Sequence, residues 1–250
     1  MSTYLRLLRK EITGLIRTRR MLIALIVFGA FGALAPIMAR LLPEMVAAVD
    51  PASGEVQQVT AREAVVQFVN LVSQLGSLAL IFLTMGIVCS EKAEGTMAFL
   101  VVKPVPRSSI ILAKLTGVVG MALVATVVAA AACVVVTPVV LGEALPLSFA
   151  GSAALVFLFA VSTVAIVVPA STIFRSQAAA GTVSTLIWMV LTALADIPQL
   201  GRLLPGRMTS HAVGVAVGAP MDWLPLVGTA AIVLAGALLA VLYFRRWETA

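Results

Sequence analysis

The chain is predicted to be an all-α membrane protein with six transmembrane helices, and three observations predict it. Six apolar segments, 21–42, 65–89, 110–141, 149–174, 178–195 and 224–244, are long enough to cross a bilayer. A helix rises about 1.5 Å per residue, so about 20 residues cover a hydrocarbon core about 30 Å thick. Hydrophobic residues make up 61% of the chain and charged residues only 11%, and the charges fall at the ends of the apolar segments. Without water in the hydrocarbon, each segment must satisfy its backbone groups internally, which makes it a helix.

Residues 1–20 open the chain as a helix of a different kind. Leu5, Leu8, Ile12, Leu15 and Ile16 recur at three-and-four spacing, while Arg6, Arg9, Lys10, Arg17 and Arg19 fall mostly elsewhere. That pattern predicts an amphipathic elbow helix on the cytoplasmic membrane surface. After span one, residues 43–62 are acidic and carry Asp50-Pro51 and Ser53-Gly54, so they read as an exposed outer loop with no chemistry. Span two leads into a short cytoplasmic loop, 90–109. Span three opens behind Pro104 and Pro106, with Ser108 as its expected N-cap and Pro138 near its expected end. Pro169 lies late in span four, where it removes a backbone donor and is expected to kink the helix. Residues 196–223 are too short and too polar to cross twice, yet rich in Leu, Val, Gly and Pro. They are expected to form outer re-entrant helices packed on neighbouring spans. The chain thus divides into an elbow, 1–20, and a six-span domain, 21–250.

Lys and Arg beside short loops set the orientation of such a bundle. Thirteen of the 17 fall on one side: six in residues 1–20, then Lys92, Lys103, Arg107, Lys114, Arg175, Arg245 and Arg246. Arg40, Arg62, Arg202 and Arg207 fall on the other. The acidic residues on the first side are Glu11, Glu91, Glu94 and Glu248, so the formal charge of +6 divides into +9 and −3. Six crossings put both termini in one compartment, and the basic excess makes it the cytoplasm. The expected location is the plasma membrane of a prokaryote. No cleavage pattern precedes span one, so no removable signal peptide is expected. The pI near 10 is accounted for by span-end residues facing anionic headgroups, and no nucleic-acid partner is expected. Cys89 and Cys133 lie in spans without the spacing or His company of a metal site, and the ten Met residues are scattered. They read as packing, and no metal is expected.

The stretch from Glu91 to Arg107, followed by Lys114, is too short for a domain and too patterned for a tether. Gly95 permits a sharp change of direction, Thr96 caps a new helix, and Pro104 stops it after about two turns. Met97, Phe99, Leu100 and Val101 give that helix an apolar face. Glu91, Glu94, Lys103 and Arg107 supply charges for a partner or for the loop itself. The sequence Gly-x-x-x-x-Gly-Lys-Ser/Thr does not occur, so this chain does not cradle ATP by that route.

Here the sequence resembles the type-2 ATP-binding-cassette exporter permeases, whose pattern in this place is Glu, a few charged residues, Gly-Thr, several apolar residues, Pro, then Arg and Lys. The run Lys103-Pro104-Val105-Pro106-Arg107 is most similar to the subgroup containing the copper-enzyme maturation permease for nitrous oxide reductase. The resemblance implies a permease dimer, of two copies or of paralogues, working with two copies of a separate cytoplasmic ATPase. ATP and Mg are used by that partner, and no cofactor is bound by this chain. It further implies that the loop helix is a coupling helix seated in a groove of the ATPase. Its contact residues would be Glu91, Glu94, Gly95, Thr96, Met97, Leu100, Lys103, Pro104 and Arg107, and transport would run outward.

Two polar stripes complete the reading. Span two carries Gln67, Asn70, Gln74, Ser77 and Thr84 on one face, and span five carries Thr182, Thr185, Met189 and Thr192 with the same periodicity, then Asp196. Polar groups in hydrocarbon need partners, so both stripes face protein or water. They line a route between subunits, as the resembled family implies, or they hydrogen-bond helices together, with Gly181 allowing close approach. No charge sits centrally in a span, which argues against an ion-driven carrier and for a lipid-like, amphipathic or peptidic cargo. An intramembrane enzyme lacks its groups: His211 is the only His, it lies in the outer segment, and no base accompanies a buried Ser. A membrane anchor or sensor that borrows the fold, in a signalling or immunity complex, is the alternative the sequence leaves open.

Overall fold

The computed structural model describes residues 3–49, 59–95, 106–197, 199, 201–216, 218–220 and 222–246. Helices α1 (Thr3–Arg17), α2 (Arg20–Val49), α3 (Ala61–Thr84), α4 (Cys89–Ala93) and α5 (Arg107–Leu141) come first. They are followed by α6 (Phe149–Ile173), α7 (Gln177–Leu194), a 3-10 turn (Gly201–Leu203), α8 (Arg207–Ala216) and α9 (Leu224–Arg245). Among the described residues there is no strand. Six helices are long and apolar enough to cross a membrane, so the protein is an all-α, multi-pass bundle.

α6 is the central helix, packed by α3, α5, α7, α8 and α9, while α2 lies against α5 and α3. Apolar burial does not drive helices together in lipid, so close approach and hydrogen bonds must do so. The α2–α5 contact shows how. Ala24, Phe28, Ala35 and Ala39 are buried along one face of α2, and Ala122, Ala125, Ala129 and Cys133 along one face of α5. Between them sits Gly32, where a Cβ would stand 2.0 Å from the Ala129 carbonyl oxygen. Only a residue without a side chain allows that backbone contact. On the other side of the bundle a Cβ on Gly236 of α9 would meet the Ala165 carbonyl at 2.1 Å. Ala165 is the residue four before Pro169, so its carbonyl lacks the usual amide donor, and the glycine face of α9 packs over it. Most buried hydroxyls donate to their own helix, as Thr126 does to Ala122 (2.9 Å) and Thr172 to Val168 (2.8 Å).

Several boundaries differ from expectation. α2 runs through Pro36 and Pro43 to Val49, so the loop expected from 43 starts as helix. The side chains of α2 before Pro36 still fit the expected span, and a proline costs one donor without forcing a stop. α5 passes through Pro138 and ends at Gly142, whose φ of 75° is left-handed and whose amide donates to the Pro138 carbonyl. Its N-cap is Pro106, and Ser108 lies inside the first turn with no capping role. The expected elbow 1–20 is α1 followed by a break at Thr18 and Arg19, and Arg19 takes φ 58°, left-handed for a non-glycine residue. Within 196–223, the 3-10 turn and α8 pack on α6, α3 and α9. Ser152 of α6 and Ser148, the residue just before that helix, donate to the carbonyls of Ala212 (2.6 Å) and Ala216 (3.1 Å), fastening the second half of α8.

The charges segregate to the two ends of the bundle. The end carrying α1 also holds α4, the start of α5, Arg175 and the last turns of α6 and α9. Arg40, Arg62, Arg202 and Arg207 lie at the opposite end. There Arg40 donates to the Val140 carbonyl (3.1 Å) at the end of α5, and Glu143 accepts from the Ala61 amide (3.1 Å) at the start of α3. Each charge faces the helix terminus its sign complements.

Candidate functional site

Helix α3 gives out at Thr84 and the chain turns over residues 85–88 into α4. This corner is clamped from both sides. Ser171 of α6 accepts the amides of Val88 (3.0 Å) and Cys89 (3.2 Å), satisfying two donors at the start of α4. Lys92 donates to the Thr172 carbonyl in the last turn of α6 and lies 5.8 Å from the centre of the Tyr243 ring on α9. A cation is favoured at a helix C-terminus and over an aromatic face.

Glu91 faces the other way, into an ion network. Its Oε1 is 2.9 Å from Lys114 Nζ, and Lys114 Nζ is 3.0 Å from Oε2 of Glu11 on α1. Lys10 completes the cluster at 3.6 Å from Glu11 and 3.7 Å from Glu91. The Lys114 side chain is 1% exposed, so the cluster is internal. α1 is held against α5 by it, by Leu15, and by a 2.7 Å bond between the Tyr4 and Thr116 hydroxyls. Beside the network lies a cavity of about 370 Å³ reached by Arg20, Ser90 and Glu94.

Gly95, with φ 71°, follows the end of α4, and Glu94 and Gly95 are exposed. Thr96, Met97, Leu100, Lys103 and Pro104, together with the helix expected over them, lie outside the described residues. On the far flank, Arg107 donates to the Arg245 carbonyl (2.9 Å) at the end of α9. Residues 91–107 are therefore tied at their two flanks to α1, α5, α6 and α9.

The polar stripe on α3 does not stay on one face. Gln67 is half-buried and Asn70 and Gln74 are exposed, whereas Ser77 and Thr84 are buried. At about 100° per residue, Thr84 has rotated roughly 100° from Gln67. It donates to its own helix at Leu80 (2.5 Å), and Ser77 accepts from Thr163 of α6 (3.3 Å). Gln67, Asn70 and Gln74 instead continue the line of Leu78, Ile81 and Met85, along which α3 meets α7. Near the α1 end that line is covered: Ile81 packs with Trp188, and a Cβ on Gly181 would touch Met85 Sδ at 2.6 Å. Farther along, Asn70 and Gln74 lie open and Gln67 is partly covered. On α7, Thr182 and Met189 are exposed, while Thr185 and Thr192 are half-buried and donate to Gly181 (2.9 Å) and Trp188 (2.8 Å) of their own helix. Asp196 is exposed at the end of α7. Ser73 Oγ and Trp188 Nε1 are buried with no hydrogen-bond partner among the described residues.

Residues 5–213 match the family described as ABC-2 family transporter protein. The chain belongs to that family. It is a membrane permease of the ABC transporter class, built on six candidate spans. The match ends before α9, the sixth candidate span. No curated protein matches the chain.

The permease holds residues at this corner that sequence reasoning passed over. Glu11 stands out in retrospect as a carboxylate on the inward line Leu7, Glu11, Leu15 of α1. Lys114, eight residues into α5, is the cation it answers; the sequence marked that lysine at the end of the loop pattern but not its pairing with α1. Ser171 carried no signal, because a serine late in an apolar helix has no distinguishing pattern. Among the described residues no group of three His, Cys, Asp or Glu side chains forms a metal site. Cys89 and Cys133 are buried free thiols, and His211 lies on α8 away from the corner.

Proposed function

We propose that the permease is the membrane half of an ABC exporter and that a separate ATPase drives it from the α1 end, through the segment that follows Gly95. Family membership supports a transport role. The observation that carries the coupling role is the corner itself: both flanks of residues 96–105 are fastened by buried charges and helix-end bonds to four helices. A push on that segment reaches the spans as a displacement of α1, α5, α6 and α9, because closely packed elements shift as rigid bodies.

On this reading both termini are cytoplasmic, in a prokaryotic plasma membrane, as the charge asymmetry between the two ends favours. Glu91 and Arg107 anchor the lever, and Glu94, Gly95, Thr96, Met97, Leu100, Lys103 and Pro104 meet the ATPase, two copies of which serve two permease chains. ATP and Mg belong to the ATPase. Asn70, Gln74, Thr182 and Met189, open on the surface of a single copy, line the route between two copies together with half-buried Gln67. Ser77, Thr84, Thr185 and Thr192 pack helices, since their hydroxyls are engaged within the bundle. The cargo is amphipathic or lipid-like, because the open flank alternates amides with Leu and Met. The motif Lys103 to Arg107 favours kinship with the copper-enzyme maturation permeases.

The test reverses Glu94 and replaces Gly95 and Thr96 by bulky residues, then measures ATPase activity and transport with the partner reconstituted. Glu94→Lys is expected to leave the partner's basal hydrolysis intact and to abolish its stimulation and transport. Normal stimulation and transport in these variants, or repeated purification of the permease without any ATPase, would count against the proposal.

A further inference from the structure

We propose that the groove along α1 binds the phosphates of anionic phospholipid headgroups, and that its occupancy is read at the α3–α4 corner through Lys10. The second half deepens the coupling role proposed above and rests on it. Arg6, Arg9, Lys10, Thr13 and Arg17 recur at three-and-four spacing on one face of α1, and with Gly14 they line an open groove of about 640 Å³. No acidic residue lines it. The adjoining face exposes Leu5 (47%), Ile12 (44%) and Ile16 (59%). A row of cations beside a row of bare Leu and Ile side chains matches one surroundings: phosphates above, acyl chains below. Free phosphate would satisfy the cations and leave the apolar row in water, so the occupant is the lipid.

Lys10 belongs to both places. It lines the groove, and its ammonium closes the network with Glu11 and Glu91 at 3.6 and 3.7 Å. Lys114 holds the same carboxylates at 3.0 and 2.9 Å. The Lys10 contacts are therefore the longer ones, and its side chain is 48% exposed, free to turn toward a phosphate. When it does, Lys114 remains as the bridge from α1 to Glu91 among the described contacts, and the elbow is held less tightly to the corner. Anionic lipid thus loosens α1 from residues 91–94, and zwitterionic lipid leaves it tied.

The test uses the full-length permease in nanodiscs of phosphatidylcholine, with and without phosphatidylglycerol. Native mass spectrometry after mild delipidation reads retained lipid for the wild type and for Arg6→Gln/Arg9→Gln/Arg17→Gln, whose three side chains are exposed. Phosphatidylglycerol is expected to be retained preferentially. The triple variant is expected to bind it on the order of a hundredfold more weakly, at about fivefold per cation. Equal retention of both lipids, undiminished retention by the variant, or displacement by inorganic phosphate at matched concentration overturns the site. Spin labels at Ile16 and Glu94 read the second half. Phosphatidylglycerol is expected to lengthen and broaden their separation in the wild type, and Lys10→Gln to show the loosened distribution in both lipids. Wild-type distances that ignore lipid charge overturn the relay. Neither readout uses the ATPase, so failure of the coupling reading shows separately, as absent stimulation of the partner in every lipid.

Discussion

Replacing Lys114 by Met isolates the contribution of the ion network. Lys114 Nζ lies 3.0 Å from Glu11 and 2.9 Å from Glu91, with its side chain 1% exposed and theirs 10% and 24%. At about 3 Å and an effective dielectric of about 20, each arm represents about 5.5 kcal/mol of attraction. Dehydration of the three groups consumes most of it, so the intact cluster is worth little net, but removing the buried cation leaves two facing carboxylates with only the longer contacts of half-exposed Lys10 and costs about 3–5 kcal/mol. At about 2–4 °C per kcal/mol for a chain of this length, the midpoint falls on the order of 10 °C. Thermal unfolding of the detergent-solubilised permease, followed by the loss of its monodisperse peak in size-exclusion chromatography, measures this. Lys114→Met combined with Glu11→Gln and Glu91→Gln is expected to recover more than half of the loss, because the cluster then holds no buried charge and half-exposed Lys10 is solvated. Lys10→Gln, at a half-exposed position with contacts of 3.6 and 3.7 Å, is expected to cost less than about 1 kcal/mol. A Lys114→Met midpoint equal to that of Lys10→Gln, or a triple variant no better than the single, would falsify the assignment of this cluster as a buried unit.

The helix contacts make further predictions. Gly32→Leu is expected to abolish monodisperse expression, since its Cβ would sit 2.0 Å from the Ala129 carbonyl; Gly120→Ala, with nothing within 4 Å, is expected to stabilise by about 1 kcal/mol. Ser171→Ala strands the Val88 and Cys89 amides and is expected to cost about 1–3 kcal/mol, with faster hydrogen exchange in residues 85–93 than elsewhere in the bundle. Arg19→Gly relieves the left-handed backbone at φ 58° and is expected to raise stability by about 1 kcal/mol, read as a higher unfolding midpoint in detergent.

The sequence by itself determined the number of spans and which charges share an end. Six apolar runs must become helices because hydrocarbon offers their backbones no other partner, and charges must collect where those runs stop. It also marked the amphipathic α1 and the left-handed Gly95. Proline misled at one boundary, since a helix flanked by neighbours tolerates the lost bond at Pro43, whereas α5 ends at Leu141, where its apolar run does. Local periodicity likewise placed Gln67 through Thr84 on one face, although the drift of about 100° over 17 residues carries Thr84 into the core. Only the tertiary structure decided which polar groups meet. Glu11 and Lys114 are 103 residues apart in the chain, as Ser171 and Val88 are 83 apart, and no pattern within a single helix reports a partner on another. Pairing across helices depends on which small residues let backbones touch, and that is fixed by the packing of the whole bundle.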